Sequence, residues 1–434
     1  MTEFCIEGVV TEKTSPDYQA LLANAYKNKQ RPLCLCNPKG IPMYISKLGD
    51  HYIVKRMPNS AVSHNPSCAI YELPPELTGL TPLKESAISE DEATGITTLR
   101  LEFSLTKKPG KAPPESNGTE VTTVKAQNSK MSLRAFLHYL YDSSGLNKFT
   151  QKEFSRRNWS TVRRALLESA AKLVSKQIPI LDRILIPEMF KLDDKEKIAT
   201  RLNKYFSKLS IDSDEVKIGI LVGEVKSFSE ARIGKKLIVK HLPNDPFFME
   251  DKTYKNVAKH FDEVLSLWNE NERYHLMIIS TFYLSASKAP HVIEMSLMLS
   301  EENWIPIEST AEARLCTQLI GQNRHFIKPL RFNVPRSNFM PSAILTDMGD
   351  IPHPIYLLPP EPSENILEQL ESIEASSGYE ITAIQTDGSD VFSIPELQEQ
   401  KPDSKTSCQT KVLTSGPEAT STSVVESEQA EMFT

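Results

Sequence analysis

The sequence has few cysteines and no long apolar run. These two shortages argue against a small disulfide-rich secreted domain and against a membrane-spanning protein. Six cysteines in 434 residues are too few for the disulfide framework of a small secreted domain. The longest apolar stretch, Leu276 to Leu284, falls far short of the ~20 residues that cross a bilayer. The first residues also lack the basic start and apolar core of a secretory leader. We therefore expect a cytoplasmic protein with no membrane partner.

Motifs that indicate common enzyme classes are also missing. The sequence contains no Gly-rich phosphate loop, no Ser-His-Asp order and no His-Glu-x-x-His motif. Nucleotide hydrolysis and zinc proteolysis therefore have no support, and no nucleotide cofactor is expected.

Length and charge distribution indicate several units with different partners. A chain of 434 residues exceeds one ordinary core, so about two to four compact units are expected. Leu146 to Lys176 carries eight basic and two acidic side chains, a local charge of +6. Glu361 to Thr434 carries three basic and fifteen acidic ones, a local charge of −12. The middle of the chain is suited to nucleic acid, and the C-terminal part repels it.

Composition and hydrophobic periodicity predict an α+β protein of six segments. Pro109 to Ser129 is rich in Pro, Gly, Ser, Thr and Lys, which is typical of a linker. Residues beyond about Gln398 are polar with almost no aromatics, and such a segment buries too little apolar surface to offset its ordering entropy. The predicted segments are a β-rich zinc-binding domain (1–106), a linker (107–130), a basic helical module (131–210), an α+β unit (211–303), an α/β unit (304–397) with a nuclease-like α-β-β-β-α-β order, and a disordered tail (398–434).

Local patterns predict several individual elements. Pro42 to Met57 has the pattern of two strands around a Gly-containing turn. Apolar residues at helical spacing predict a helix that begins at Ser132 and ends at Gly145, and a second helix capped by Ser160. The apolar stripe from Asp251 to Trp268 predicts a further helix.

Three cysteines and a histidine around the predicted hairpin form a candidate metal site. Cys34 and Cys36 share one face of an extended chain because side chains alternate with period two. His64 and Cys68 are four residues apart, so one helical turn brings them together. The hairpin between the pairs carries them to one Zn²⁺, and four protein ligands make that ion structural because no position stays open for water. The alternative is a chance grouping of packed free cysteines and a surface histidine.

Short segments of the sequence carry a family resemblance. They are Arg31-Pro-Leu-Cys-Leu-Cys, Met43-Tyr-Ile, His51-Tyr-Ile-Val-Lys-Arg-Met-Pro, Trp159-Ser-Thr-Val-Arg-Arg, Lys240-His-Leu-Pro, Glu294-Met-Ser-Leu-Met-Leu and Lys328-Pro-Leu-Arg-Phe-Asn. These segments resemble the uncharacterised bacterial family called domain of unknown function 1173. Its members are carried by integrative conjugative elements and plasmids of proteobacteria. The resemblance implies an accessory role in a mobile genetic element, and it implies no activity.

The predicted element order after Trp304 looks like a PD-(D/E)XK nuclease core. Active relatives bind magnesium through an Asp near the second strand and a Glu-x-Lys on the third. Here Ser342 stands in place of that Asp, and the third strand, Ile355 to Leu358, has neither carboxylate nor lysine. Asp347 alone does not hold a metal ion. This copy is therefore expected to be inactive and to serve binding or assembly.

A second candidate for nuclease chemistry lies upstream. Glu224 and Lys226 follow an apolar strand and share its face, as an active Glu-x-Lys pair must, and Asp212 and Asp214 precede them. A solvated strand end explains the same residues without a metal.

Basic residues around Trp159 form a candidate nucleic-acid surface. Such side chains track phosphates when the helices are arranged as in a helix-turn-helix. A solvated helix face with Trp159 as a core anchor is the alternative. The basic residues are Arg156, Arg157, Arg163, Arg164, Lys172 and Lys176.

The leading hypothesis from the sequence is a non-enzymatic, zinc-containing accessory protein of a mobile element. It contacts DNA or a conjugation-related protein. The alternatives are a divalent-metal nuclease that uses Asp214, Glu224 and Lys226, and a protein-interaction adaptor.

Overall fold

The structure is a computed structural model that describes most of the chain. Helices and strands alternate throughout, which confirms the α+β class. The predicted tail and the predicted linker, except for residues 107, 129 and 130, lie outside the described residues. The described residues are 3–48, 51–57, 60–68, 70–74, 77–84, 86–91, 96–107, 129–150, 157–209, 215–376, 378–388 and 391–397.

The N-terminal part folds as an antiparallel sheet with strand order β2-β1-β3-β4-β5. The hairpin predicted over Pro42 to Met57 is confirmed as β4 and β5. Helix α1 packs Tyr18, Leu22 and Ala25 against the sheet. The bounds are β1 (Glu3–Ile6), β2 (Val9–Glu12), α1 (Tyr18–Lys27), β3 (Leu33–Cys34), β4 (Ile41–Leu48) and β5 (His51–Arg56).

The next segment packs two helices, α3 and α4, on one another and on a small sheet of order β11-β10-β7-β6. The predicted ends of α3 are confirmed, since Ser132 caps it and Gly145 ends it with φ 73°. The cap predicted for α4 is wrong, because the side chain of Asn158, not Ser160, accepts from the backbone of Thr161. The bounds are α2 (Thr81–Lys84), β6 (Ile88–Glu90), β7 (Thr97–Leu99), β8 (Thr106–Lys107), α3 (Leu133–Ser144), β9 (Lys148–Phe149), α4 (Trp159–Ala170), β10 (Leu173–Ser175), β11 (Ile178–Pro179), β12 (Ile184–Leu185) and α5 (Lys195–Leu209).

The centre of the molecule is a closed barrel. Its strands pair in the ring β14-β15-β16-β18-β17 and back to β14. The long strand β14 bends at a bulge between Val225 and Ser227, so its first half pairs with β17 and its second half with β15. Phe247 and Phe282 meet edge to face inside, with ring centroids 5.0 Å apart. The bounds are β13 (Val216–Lys217), β14 (Gly219–Glu230), β15 (Lys235–Val239), β16 (Leu242–Met249), α6 (Asp251–His260), α7 (Asp262–Glu270), β17 (His275–Leu284), β18 (Pro290–Ser300) and β19 (Pro306–Ile307).

The helix predicted from Asp251 to Trp268 is interrupted. Phe261 adopts φ −118° and ψ 24°, which ends α6 and lets α7 begin at the next residue. Both helices pack on the barrel through one apolar stripe that includes Val257 and Val264.

The last described part is a sheet of order β23-β22-β21-β20-β9, in which β22 and β23 are parallel and the other neighbours antiparallel. Ile327 and Ile344 pack into the core of the N-terminal sheet, which joins the two ends of the fold. None of the described helices is long and apolar enough to span a membrane. The bounds are α8 (Thr310–Gly321), β20 (Phe326–Ile327), β21 (Ala343–Leu345), β22 (His353–Leu358), α9 (Glu364–Ser376) and β23 (Thr382–Gln385).

Candidate metal centre

The first two cysteines of the candidate site sit where strand β3 ends. Cys34 is its last residue and pairs with Ile41 of β4. The chain then turns through Cys36, and Gly40 takes φ 66° to lead back into β4. A left-handed residue suits glycine because it has no Cβ. The turn holds Cys36 beside Cys34 with its sulfur half-buried.

The other two ligands come from a turn and not from the predicted helical turn. Ala61–Ser63 is a short 3-10 helix, and His64 leaves it with φ −74° and ψ 154°, an extended conformation. The chain then turns again, and the Cys68 N–H donates to the Asn65 carbonyl at 2.8 Å. The expected helix from His64 to Cys68 is therefore wrong, although the turn brings the same two side chains together.

The four candidate ligand atoms lie close enough together to surround one metal ion. All lie within 4.8 Å of one another. Cys34 Sγ is 3.8 Å from Cys68 Sγ, and His64 Nδ1 is 3.2 Å from Cys36 Sγ and 3.8 Å from Cys68 Sγ. Bond lengths of about 2.3 Å to sulfur and 2.0 Å to nitrogen place two sulfurs about 3.8 Å apart and sulfur and nitrogen about 3.6 Å apart. The residues fit a Cys₃His-bound ion.

Burial and mutual contact shift the pKa values of the cysteines in the cluster. Cys34 is fully buried and Cys68 is 9% exposed. Hydrogen bonds with Cys36 and Cys68, together with burial, raise the pKa of Cys34. Hydrogen bonds from the other two thiols lower the pKa of Cys68. A bound divalent cation would stabilise all three cysteines as thiolates.

Neighbouring groups restrain two of the candidate ligands, Cys68 and His64. The Ile70 N–H points at Cys68 Sγ at 3.4 Å, and backbone N–H groups of this kind stabilise a thiolate. His64 is 2% exposed, with Nδ1 toward the sulfurs, and its Nε2 is buried without a hydrogen-bond partner within the described part of the chain. The imidazole therefore offers one nitrogen to an ion, and packing fixes its orientation.

The predicted basic surface around Trp159 divides into anchored and exposed side chains. Arg157 donates to the Leu146 carbonyl at 2.9 Å and Arg163 to the Ile186 carbonyl at 2.9 Å. Lys172 contacts Ser46 Oγ. Arg164 and Lys176 are exposed, and Arg156 lies outside the described residues.

Trp159 itself belongs to the core. It is 3% exposed, and its indole N–H donates to the Pro187 carbonyl at 2.9 Å. Its ring contacts His241 and Trp304. A base therefore has no open ring face on which to stack at this residue.

Glu224, a candidate for metal chemistry, is instead neutralised by two side chains. It is 3% exposed and accepts from His275 Nδ1 at 2.7 Å and Lys240 Nζ at 2.5 Å. Burial raises its pKa, but these hydrogen bonds outweigh burial and hold the pKa below its usual value. Lys226 is exposed on the same strand, and Asp214 lies outside the described residues. Because His275 and Lys240 are distant in sequence, no local motif indicated them.

An open cleft of about 420 Å³ lies at the C-terminal sheet, and it too carries paired charges. Glu312 accepts from the buried Lys328 at 2.5 Å, and Glu308 accepts from Arg331 at 2.6 Å. Ser342 also lines the cleft. No local motif indicates the Glu312–Lys328 pair, because its members lie 16 positions apart in the chain.

Asp347 is likewise committed to a structural contact. Both of its carboxylate oxygens accept from Arg324, at 2.8 and 2.9 Å, and one also accepts from the His325 N–H at 2.8 Å. Among the described residues, the one group of three or more His, Cys, Asp or Glu side chains able to hold a metal ion is the Cys₃His cluster.

Fold and site together define an α+β protein with a Cys₃His cluster able to hold a metal ion. A family model described as "Protein of unknown function (DUF1173)" matches residues 4–384. The chain belongs to that family. No curated protein and no solved structure matches the chain.

Proposed function

We propose that the chain is a non-enzymatic, zinc-containing accessory protein of a mobile genetic element, an integrative conjugative element or a plasmid. It acts in the cytoplasm and binds nucleic acid or a conjugation-related partner. The observation that carries the proposal is the Cys₃His geometry, since four protein ligands at tetrahedral spacing leave no position for water or substrate. The ion then stabilises the turn that joins β3, β4 and β5 to the segment around His64.

The pairing of the buried carboxylates supports a role without catalysis. A metal-dependent nuclease needs two or more carboxylates free to bind the ion. Glu224, Glu312 and Asp347 each accept from a basic side chain within 2.9 Å. In this proposal the C-terminal unit is a degenerate PD-(D/E)XK core, and internal Lys and Arg side chains supply the positive charge that metal ions supply in an active copy.

Zinc analysis of protein purified without added metal tests the central part of the proposal. The wild type is expected to carry one zinc ion per chain, and Cys36→Ser and His64→Ala are expected to lose it. Cys316→Ala is the matched control, because Cys316 is buried in a different core from the cluster. A metal-free wild type that remains folded contradicts the proposal.

Retention on nucleic acid at low salt tests the binding part. We expect retention that falls with salt, and a smaller salt dependence in Arg164→Glu/Lys176→Glu because exposed cations release counterions from phosphates. Absence of any retention at low salt favours a protein-interaction adaptor. Magnesium-dependent cleavage that Glu224→Ala abolishes favours the nuclease.

A further inference from the structure

The connectivity of the barrel is the starting point. Its strands pair in the order first, second, third, fifth, fourth and back to the first, and the helices α6 and α7 lie between the third and fourth strands. The third and fifth strands, β16 and β18, are parallel. This is the arrangement of the OB-fold, a Greek-key barrel whose outer face around the second and third strands binds oligonucleotides or oligosaccharides. The fold alone does not identify a ligand. The side chains on that face therefore decide which class of ligand it can bind.

Outward-facing side chains form one row across four strands of the barrel. Lys236 on β15 pairs with Phe248 on β16, which pairs with His291 on β18, which pairs with Tyr283 on β17. Each of the four is half-buried. Their neighbours Phe247, Phe282 and Val292 are buried in the barrel interior. Because strand side chains alternate, the row stands on the outer surface.

We call the three neighbouring rings of this row the platform. The ring centroids of Phe248 and His291 are 5.7 Å apart, and those of Tyr283 and His291 are 5.6 Å apart with an interplanar angle of 26°. Lys107 Nζ lies 5.6 Å from the Tyr283 centroid. Positive charge thus flanks the platform at both ends, with Lys236 on one side and Lys107 on the other.

Two turns border the platform at the same end of the barrel. The turn over 231–234 joins β14 to β15, and it presents Arg232 and Ile233, the latter 87% exposed. The turn over 285–289 joins β17 to β18, and it presents Lys288. These are the positions of the loops that flank the binding face in OB-folds. Two acidic residues lie at the limits of this face. Glu230 is paired with Lys235, and Glu294 lies further along β18.

We propose that this face, made of Lys107, Lys236, Phe248, Tyr283 and His291, binds single-stranded nucleic acid. Every base has a flat face that stacks on an aromatic ring, and the lysines match the phosphates on either side. A duplex hides its base faces, whereas a neutral oligosaccharide makes no use of the flanking cations. The inference rests on the nucleic-acid part of the proposed function and names a second surface, separate from Arg164 and Lys176.

Fluorescence anisotropy with the full-length, zinc-loaded chain tests the inference. The probes are labelled oligo(dT) and oligo(rU) of about 15 nucleotides, which span one such face, and a duplex of equal length. Phe248→Ala, Tyr283→Ala and His291→Ala are each expected to weaken single-strand binding about 5- to 150-fold. Lys236→Gln and Lys107→Gln should each reduce the salt slope by about 0.7.

Matched controls come from helix α1, which packs in the N-terminal core. Tyr26→Ala removes a half-exposed ring and Lys27→Gln an exposed cation without touching the barrel. Both are expected to bind as the wild type does. Phe248→Trp keeps a stacking surface and should retain most of the affinity, which separates stacking from a loss of folding. Comparison of the two probes tells DNA from RNA.

The outcomes separate this inference from the proposed function. If the wild type binds nucleic acid and the three aromatic variants match the α1 controls, the inference is overturned and the proposed function stands. If the wild type binds neither single strands nor duplex at low salt, the inference and the nucleic-acid part of the proposed function both fail. Single-strand binding that the platform variants lose, while Arg164→Glu/Lys176→Glu keeps it, supports the inference.

Discussion

The buried Arg324–Asp347 pair offers a sharp test of whether the C-terminal carboxylates are structural. Arg324 is 3% exposed, and its guanidinium also donates to the Pro395 carbonyl at 2.5 Å. Asp347→Asn keeps the shape of the side chain but leaves a buried cation without its counter-charge. Breaking a buried pair in this way costs about 3–5 kcal/mol. With a urea m value of about 3 kcal/mol per M, the unfolding midpoint should fall by about 1–1.7 M.

Urea unfolding followed by tryptophan fluorescence measures this effect, because Trp268 packs against the same core. The control is Glu302→Gln in the exposed Arg273–Glu302 pair, whose side chains are 77% and 52% exposed, and it should cost no more than about 1 kcal/mol. Replacement of both members, Arg324→Met/Asp347→Leu, should recover much of the loss. An Asp347→Asn midpoint equal to that of Glu302→Gln would refute the reasoning.

Two further predictions concern pH and backbone conformation. Burial, with the nearby positive charges, lowers the pKa of His138 to about 3, so its neutral form contributes stability that is fully present above pH ~6.5 and is lost as the pH falls toward 3. Unfolding midpoints between pH 7 and 4.5 should decline, and His138→Asn should flatten that decline; an unchanged slope contradicts the assignment. Gly234 has φ 73°, and a Cβ there would lie 2.2 Å from the Met249 carbonyl oxygen. Gly234→Ala should therefore cost about 1–3 kcal/mol in a thermal melt, whereas Gly321→Ala, with open space around it, should be neutral or stabilising.

Elements whose ends depend on near neighbours could be predicted from the sequence. Both ends of α3 follow from Ser132 and Gly145, a cap and a left-handed stop. The start of α4 shows the limit, because Asn158 and Ser160 are both good caps and the sequence does not rank them. The break at Phe261 shows a second limit of prediction from the sequence. The apolar stripe of α6 continues into α7, so hydrophobic periodicity does not reveal that the residue between them is non-helical.

Features that depend on distant pairing could not be predicted. The four residues of the Cys₃His cluster could be predicted from residue type and spacing, but the turn from His64 to Cys68 could not, because it depends on packing in the N-terminal core. The partners of Glu224 lie 16 and 51 residues away. Closure of the barrel needs β14 to meet β17 and β16 to meet β18, and strand patterns do not specify such neighbours.

X-ray absorption at the zinc edge of the full-length protein tests the metal centre most directly. The arrangement of Cys34, Cys36, His64 and Cys68 predicts a first shell of three sulfurs at about 2.3 Å and one nitrogen at about 2.0 Å. A first shell of oxygen and nitrogen alone, or a folded chain that takes up no zinc, would contradict the account.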